Sequence, residues 1–211
     1  MPKIENTPVL ETERLILRRF TPADGEAVYR LYSDKEVNRF LPWFPLESRE
    51  EAEKCLREFY LESYEKPCGY RYAVCLRAED TPIGYVHVSG GESRDLGYAL
   101  RREHWGQGIA AEAGRAVLAR LSEAGYPYVT ATHDILNPAS GAVMRKMGMT
   151  YRYSYREQWQ PKDIPVTFRM YQINLDGQED RVYKQYWEQY PVHFVEDLAG
   201  ESPPSAGDGS R

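Results

Sequence analysis

The sequence predicts a mixed α/β (α+β) domain. Helical patterns come first, a run of short strands joined mostly by hairpin turns follows, and two further helices interrupt that run. The strands alternate apolar and polar residues, while the helices repeat apolar residues every three or four positions and are bounded by caps or breakers.

The first strand is predicted over 14–20, where Leu15, Leu17 and Phe20 are apolar between charged flanks. Thr21 then caps a helix that has Pro22 at its first position. Leu41-Pro42-Trp43-Phe44-Pro45 breaks the chain, and a second helix is predicted over 48–64. Ser48 and Glu51 fit a capping box there, and Ala52, Leu56, Phe59 and Tyr60 share one face. Strands over 70–76 and 83–88 form a hairpin around a turn at 78–82, and a short strand follows over 95–100. A helix over 109–124 stops at Gly125, a strand covers 128–132, and a helix over 137–147 closes at Gly148. A final strand pair, 149–159 and 165–175, surrounds the turn Gln160-Pro161-Lys162-Asp163. The domain is expected to end near Leu175. Residues 177–190 read as an aromatic-rich helix, with Tyr183, Tyr186, Trp187 and Tyr190 on a stripe that packs on its own domain or against a second copy. A Pro-, Gly- and Ser-rich stretch over 199–211 reads as a flexible tail.

Composition narrows the classes. The 211 residues carry a formal net charge of −5 and are 42% hydrophobic, enough for a core and too acidic for a dedicated nucleic-acid binder. No stretch approaches the ~18 consecutive apolar residues of a membrane span, and the N-terminus lacks a signal-peptide core. Cys55, Cys68 and Cys75 are odd in number and without metal-ligand spacing, so a reduced, cytoplasmic, metal-free protein is expected. The charge is uneven. Residues 67–175 hold 13 basic and 10 acidic side chains, whereas 1–66 and 176–211 are both acidic. The middle suits one anionic cofactor, and the acidic ends would draw a cationic amine.

The segment richest in chemistry runs from Leu100 to Ala113. A strand ends, Trp105-Gly106-Gln107-Gly108 turns, and a helix starts at Ile109. Two spaced glycines let the backbone turn tightly, and the amides from Gly106 to Ala110 would open an anion cradle beside Arg101 and Arg102. A plain strand–helix turn needing small residues fits the same spacing. The dinucleotide fingerprint is absent, because Ala111 stands where its third Gly would be, and no P-loop Lys follows. The second constellation is Asn137-Pro138-Ala139-Ser140, with Val143, Lys146, Gly148 and Met149 behind it. Asn137 is a natural N-cap, and Ser140 would present a hydroxyl at the same helix end.

Taken in this order, Trp-Gly-Gln-Gly-Ile-Ala-x-Glu-Ala and Asn-x-x-Ser-x-x-Val-x-x-Lys-x-Gly-Met resemble the GNAT superfamily of N-acetyltransferases. The branch of ribosomal-protein alanine N-acetyltransferases is the more specific likeness, and Glu11-Thr12-Glu13-Arg14-Leu15-Ile16-Leu17-Arg18 is similar to its first strand. The resemblance implies a mixed, mostly antiparallel twisted sheet whose fourth and fifth strands, here 95–100 and 128–132, splay apart around acetyl-CoA. It implies that the pantetheine arm pairs with the strand edge at Tyr98 and Leu100 and with Asn137. The pyrophosphate would rest on Trp105, Gly106, Gln107, Gly108, Ile109 and Ala110, with Arg101 and Lys146 nearby. Many members carry a proton-donating Tyr seven residues after this Asn; here that residue is Met144, and the branch offers Ser140 instead. Glu103 stands where members often have Gln or Arg.

The implied reaction is direct acetyl transfer to a primary amine, with a peptide N-terminal α-amine as the leading acceptor. Polyamines or antibiotics, and a non-catalytic CoA-binding module or a nucleotide binder, are the competing readings. The base stays open among Glu157, His133, His87 and water. Trp43, Phe44 and Tyr155 are the candidate acceptor walls, unless they are packing alone. Monomer and homodimer are both compatible with the sequence.

Overall fold

A computed structural model describes residues 6–66 and 69–198, so Cys68 and the tail expected over 199–211 lie outside the described residues. Among the described residues nine strands form two sheets. β1 (Leu10–Glu11), β2 (Leu15–Arg18), β3 (Tyr70–Leu76), β4 (Glu79–Val88) and β5 (Leu96–Leu100) pair antiparallel in chain order. β6 (Tyr128–Asp134), β7 (Thr150–Trp159), β8 (Ile164–Asn174) and β9 (His193–Phe194) pair antiparallel in the order β6-β8-β7-β9. An isolated parallel bridge between Asp95 and Thr130 joins the sheets where β5 and β6 begin. These are the strands expected to splay, moved up one place by the short β1, which is too brief to show alternation.

Period two and period 3.6 explain which faces are buried. Leu15 and Leu17 are fully buried, each contributing roughly 1.5–3 kcal/mol, while Ile16 and Arg18 between them are only half-buried. One face of the first sheet, with Val86, Val88, Leu96 and Leu100, packs on α4 (Ile109–Glu123) and on Met144 of α5 (Pro138–Lys146). The opposite face, with Ala73, Cys75 and Tyr85, packs on residues of α1 (Gly25–Tyr32), α2 (Lys35–Asn38) and α3 (Arg49–Cys55). A third cluster lies on the second sheet, where Tyr153, Tyr155, Phe168 and Met170 meet Tyr186, Trp187 and Tyr190.

The sheet requires Gly84 at its place in β4. A Cβ there would stand 2.2 Å from the Ala99 carbonyl oxygen of β5, an atom that cannot swing aside. Gly84→Ala is therefore expected to destabilise the fold by about 1–3 kcal/mol, as overpacking does, measured as a lower urea midpoint. An unchanged midpoint would show that β5 shifts freely.

Several elements differ from the sequence reading. The helix expected over 48–64 is α-helical only over α3; it widens to a π turn over Leu56–Tyr60 and tightens to 3₁₀ over Leu61–Glu65. Ser48 Oγ does accept from the Glu51 N–H at 3.2 Å, but the Glu51 carboxylate takes the Glu47 N–H at 2.7 Å, so only half of the expected box forms. The turn expected at 78–82 is absorbed into β4, whose first residues pair with β3 through register shifts. The largest difference is the helix expected over 177–190. Only α6 (Gln185–Gln189) is helical. Side chains of β8 hold the preceding backbone in another shape: Gln172 Nε2 and Asn174 Nδ2 donate to the Arg181 carbonyl, and Gln172 Oε1 accepts from the Tyr183 N–H. Beyond α6 the chain adds β9 to β7, and Glu196 pairs with Arg169 at 2.6 Å.

Candidate active site

The loop before α4 is built as an open backbone end. Gly106 and Gly108 both take positive φ, +73° and +77°, which other residues rarely adopt. Gly108 is the N-cap, no side chain caps the helix, and the first helical N–H with a backbone partner four residues back is that of Glu112. The N–H groups ahead of Glu112 therefore face outward at the positive end of the helix dipole. The loop is held from behind. Arg14 donates to the Gln107 carbonyl at 2.9 Å and pairs with Glu112 at 2.6 Å, and Thr12 Oγ1 donates to Glu112 at 2.6 Å. The Thr-x-Arg between β1 and β2 and the Glu of the glycine motif are thus one clamp.

The adjoining edge of β5 is also open. Asp95 and Arg101 bond to β4 through Ser89 and Ile83, and backbone groups alternate along a strand. The N–H and C=O groups of Tyr98 and Leu100 therefore point away from β4, into the gap between the sheets. The Leu100 carbonyl is taken by the Trp105 indole N–H at 2.7 Å, which seats the loop against the strand end. Tyr98 keeps both of its backbone groups on this edge, and Leu100 keeps its N–H.

Across the gap, Asn137 Oδ1 accepts from the Ser140 N–H at 3.3 Å and starts α5. The Ser140 hydroxyl lies 2.8 Å from the Tyr98 hydroxyl, which also donates to the Ser140 carbonyl at 2.9 Å. Burial pushes the Tyr98 phenol far above its ordinary value, so it stays protonated. Met144, one turn further on, is buried and contributes no proton.

A cavity of about 730 Å³, within the range of small-molecule sites, joins these features to the far side of the sheets. Gly106, Gly108, Ile109, Ala110, Asn137, Ser140 and Lys146 line one end. Trp43, His87, Asp95, Tyr155, Glu157, Tyr186 and Tyr190 line the other. The two ends correspond to opposite sheet faces. Gly97 pairs with His87, and its missing side chain leaves room for the His87 ring, which would stand 2.7 Å from a Cβ there. Asp95 shares that face two residues earlier. Burial and the Arg71 guanidinium push the His87 pKa down to about 3, so the ring is neutral at ordinary pH. Glu157 is half-buried, and burial raises its pKa against a weaker lowering by a hydrogen bond from Tyr190.

Residues 14–150 match the acetyltransferase (GNAT) domain family. The chain belongs to the GNAT acetyltransferases. A Bacillus subtilis (strain 168) protein, the uncharacterized N-acetyltransferase YoaA, is 30% identical over 171 residues, spanning 79% of this chain and 96% of its own. RimL, a ribosomal L7/L12 alpha-N-protein acetyltransferase solved in complex with coenzyme A, superposes with a TM-score of 0.71 at 19% identity, over 81% of this chain and 100% of its own. An acetyltransferase from Salmonella typhimurium that modifies the N-terminal serine of L7/L12 gives 0.69 at 18% identity, over 79% and 99%. The two solved structures share the fold with this acetyltransferase.

Three residues expected at the site do not line the cavity of this acetyltransferase. Arg101 turns its guanidinium onto Glu103 instead of toward the loop amides. The Gln107 side chain folds back to donate to the Glu103 carbonyl at 2.8 Å. Phe44 is 61% exposed, because the break at 41–45 turns Trp43 inward and its neighbour outward. His133 lines the cavity but lies on the α5 side. It is buried, its Nδ1 is 2.8 Å from the Asp134 carbonyl, and its ring would stand 2.6 Å from a Cβ at Gly141. Glu157 lies on the opposite side with Tyr155. Sequence reasoning missed Asp95, Tyr186 and Tyr190. Asp95 stands at the start of an expected strand, and the two tyrosines belonged to an expected helix of which only α6 forms. Among the described residues no helix is long and apolar enough to cross a membrane.

Proposed function

We propose that this acetyltransferase moves an acetyl group from acetyl-CoA directly to a peptide or protein N-terminal α-amine. One observation carries the reading: a continuous cavity connects open helix-start amides, a hydroxyl pair and a raised carboxyl group on the far sheet face. The residues present fit the cofactor. Amides from Gly106 to Ala110 would cradle the pyrophosphate, and the Tyr98 and Leu100 edge with Asn137 would hold the pantetheine arm. Arg101 and Gln107 contribute through loop shape, not side-chain charge. Acetyl-CoA supplies the activated acetyl group and a thiolate leaving group.

The chain's own residues then divide the proton work. Glu157 faces the acceptor end and takes a proton from the entering amine. An α-amine, with a pKa of about 7.7–8.0, asks little of such a base. His133, turned toward α5, is the weaker rival. Ser140 holds a proton at Oγ for the leaving group, and Tyr98 orients that hydroxyl from 2.8 Å. The Leu100 N–H, aimed into the gap, suits a developing oxyanion. Trp43 and Tyr155 wall the acceptor end. A small polycationic amine is the second reading, favoured by Glu36, Asp95, Asp134 and Glu157 on the lining against the one lysine there, Lys146.

The test is an acetyl-CoA thiol-release screen over N-terminal peptides, polyamines and aminoglycosides. The expected result is turnover on peptides with free α-amines and none on the same peptides blocked at the N-terminus. Turnover confined to polyamines would replace the first reading with the second.

A further inference from the structure

Among the described residues, Asp95 is the carboxylic acid on this cavity lining with an oxygen that is buried and unpartnered. It stands at the apex of the gap, one residue before β5, where the bridge to Thr130 joins the sheets. The residue is half-buried, but its Oδ1 is sealed from solvent and has no hydrogen-bond partner among the described residues. Its backbone is committed through Ser89. A carboxyl oxygen shut off from water without a partner is costly and calls for a reason.

Its surroundings supply one. Tyr155, Tyr186 and Tyr190 line the same end, with ring centroids of Tyr186 and Tyr190 at 5.1 and 4.8 Å from that of Tyr155. The charge on Asp95 also acts on the hydroxyls of Tyr155, Tyr186 and Tyr98. Among the described residues no lysine or arginine lines this end, and His87, two strand positions across on β4, is neutral. An unpaired carboxylate attracts an ammonium ion and repels anions, and the stacked tyrosines beside it give the alkyl part an apolar wall.

We propose that Asp95 is the anchor for the acceptor, which enters as a protonated primary amine and pairs with this carboxylate beside the tyrosine stack. Resting on the acetyltransferase reading above, it adds the chemical class the pocket selects: an alkylammonium group, not a neutral or anionic one. Asp95 orients the amine, and Glu157 remains the group assigned to remove its proton.

The experiment uses the full chain without acetyl-CoA, so no turnover occurs. Binding of n-hexylammonium and of its neutral counterpart 1-hexanol is followed by quenching of tyrosine and tryptophan fluorescence in wild type and Asp95→Asn. Coenzyme A binding to both proteins reports an intact fold, which is expected because the Asp95 Oδ1 has no hydrogen-bond partner to lose among the described residues. Wild type should bind hexylammonium at least tenfold more tightly than hexanol, and Asp95→Asn should lose that preference. Equal binding of the two probes, or an unchanged preference in Asp95→Asn, overturns the proposal. The two readings separate cleanly. Asp95-dependent ammonium binding with no acetylation of any amine would sink the transfer reaction and keep the anchor. Acetylation with the same KM in Asp95→Asn would keep the reaction and sink the anchor.

Discussion

Ser140→Ala is expected to lower kcat by about 10²–10⁴-fold, the range of a lost general acid, while the Kd for coenzyme A changes little. The substitution is clean because α5 is capped through the Ser140 backbone N–H, which alanine keeps. Only the hydroxyl facing Tyr98 disappears. Met144 offers no substitute, since it is buried in the core and has no proton to give. Tyr98→Phe should give a smaller loss in kcat, because Ser140 keeps its proton but loses the phenol that orients it at 2.8 Å. Steady-state kinetics with calorimetric coenzyme A binding would check both. A loss below tenfold in Ser140→Ala would remove this hydroxyl from the proton path.

The glycine loop and the Asn-x-x-Ser helix were legible because backbone geometry dictates their residues. Positive φ selects glycine at 106 and 108, and an N-cap selects Asn137 before Pro138. Short-range patterns of this kind survive in a single sequence. The acceptor end was less legible, because it is assembled from residues far apart in the chain. Trp43, Asp95, Glu157 and Tyr190 meet through sheet pairing and the C-terminal extension, and no local spacing records that. Arg101 and Gln107 show the opposite error: both sit in the right segment, yet the Arg101 guanidinium pairs with the Glu103 carboxylate and the Gln107 amide donates to the Glu103 backbone carbonyl. The 177–190 stripe was a real helical signal, but the helix it marks is confined to α6. Tyr186, Trp187 and Tyr190 do pack on the second sheet, but Gln172 and Asn174 bind the backbone ahead of them and prevent a long helix. The same packing carries Tyr186 and Tyr190 into the cavity, so a misjudged helix concealed part of the site.

Asp95→Asn is expected to be more stable than wild type at pH 8 and close to it near pH 4. Burial pushes the Asp95 pKa up to about 7, against about 3.9 in an unfolded chain. Between those values the folded protein binds a proton that the unfolded chain releases, so wild-type stability falls as pH rises through this window and levels off above it. At about 1.36 kcal/mol per pH unit, the difference approaches a ceiling of about 4 kcal/mol above pH 7. Asparagine has no such titration. Glu157 is raised in the same direction, but it is present in both proteins and cancels in the comparison. Urea midpoints at pH 4.5 and pH 8 would measure the effect, and parallel curves for the two proteins would refute it. The pH dependence also bears on function. A carboxylate that weakens the empty enzyme at neutral pH is one that an entering ammonium ion stabilises, since binding to the folded state alone raises stability. Hexylammonium should therefore raise the urea midpoint of wild type at pH 8 and leave that of Asp95→Asn where it was.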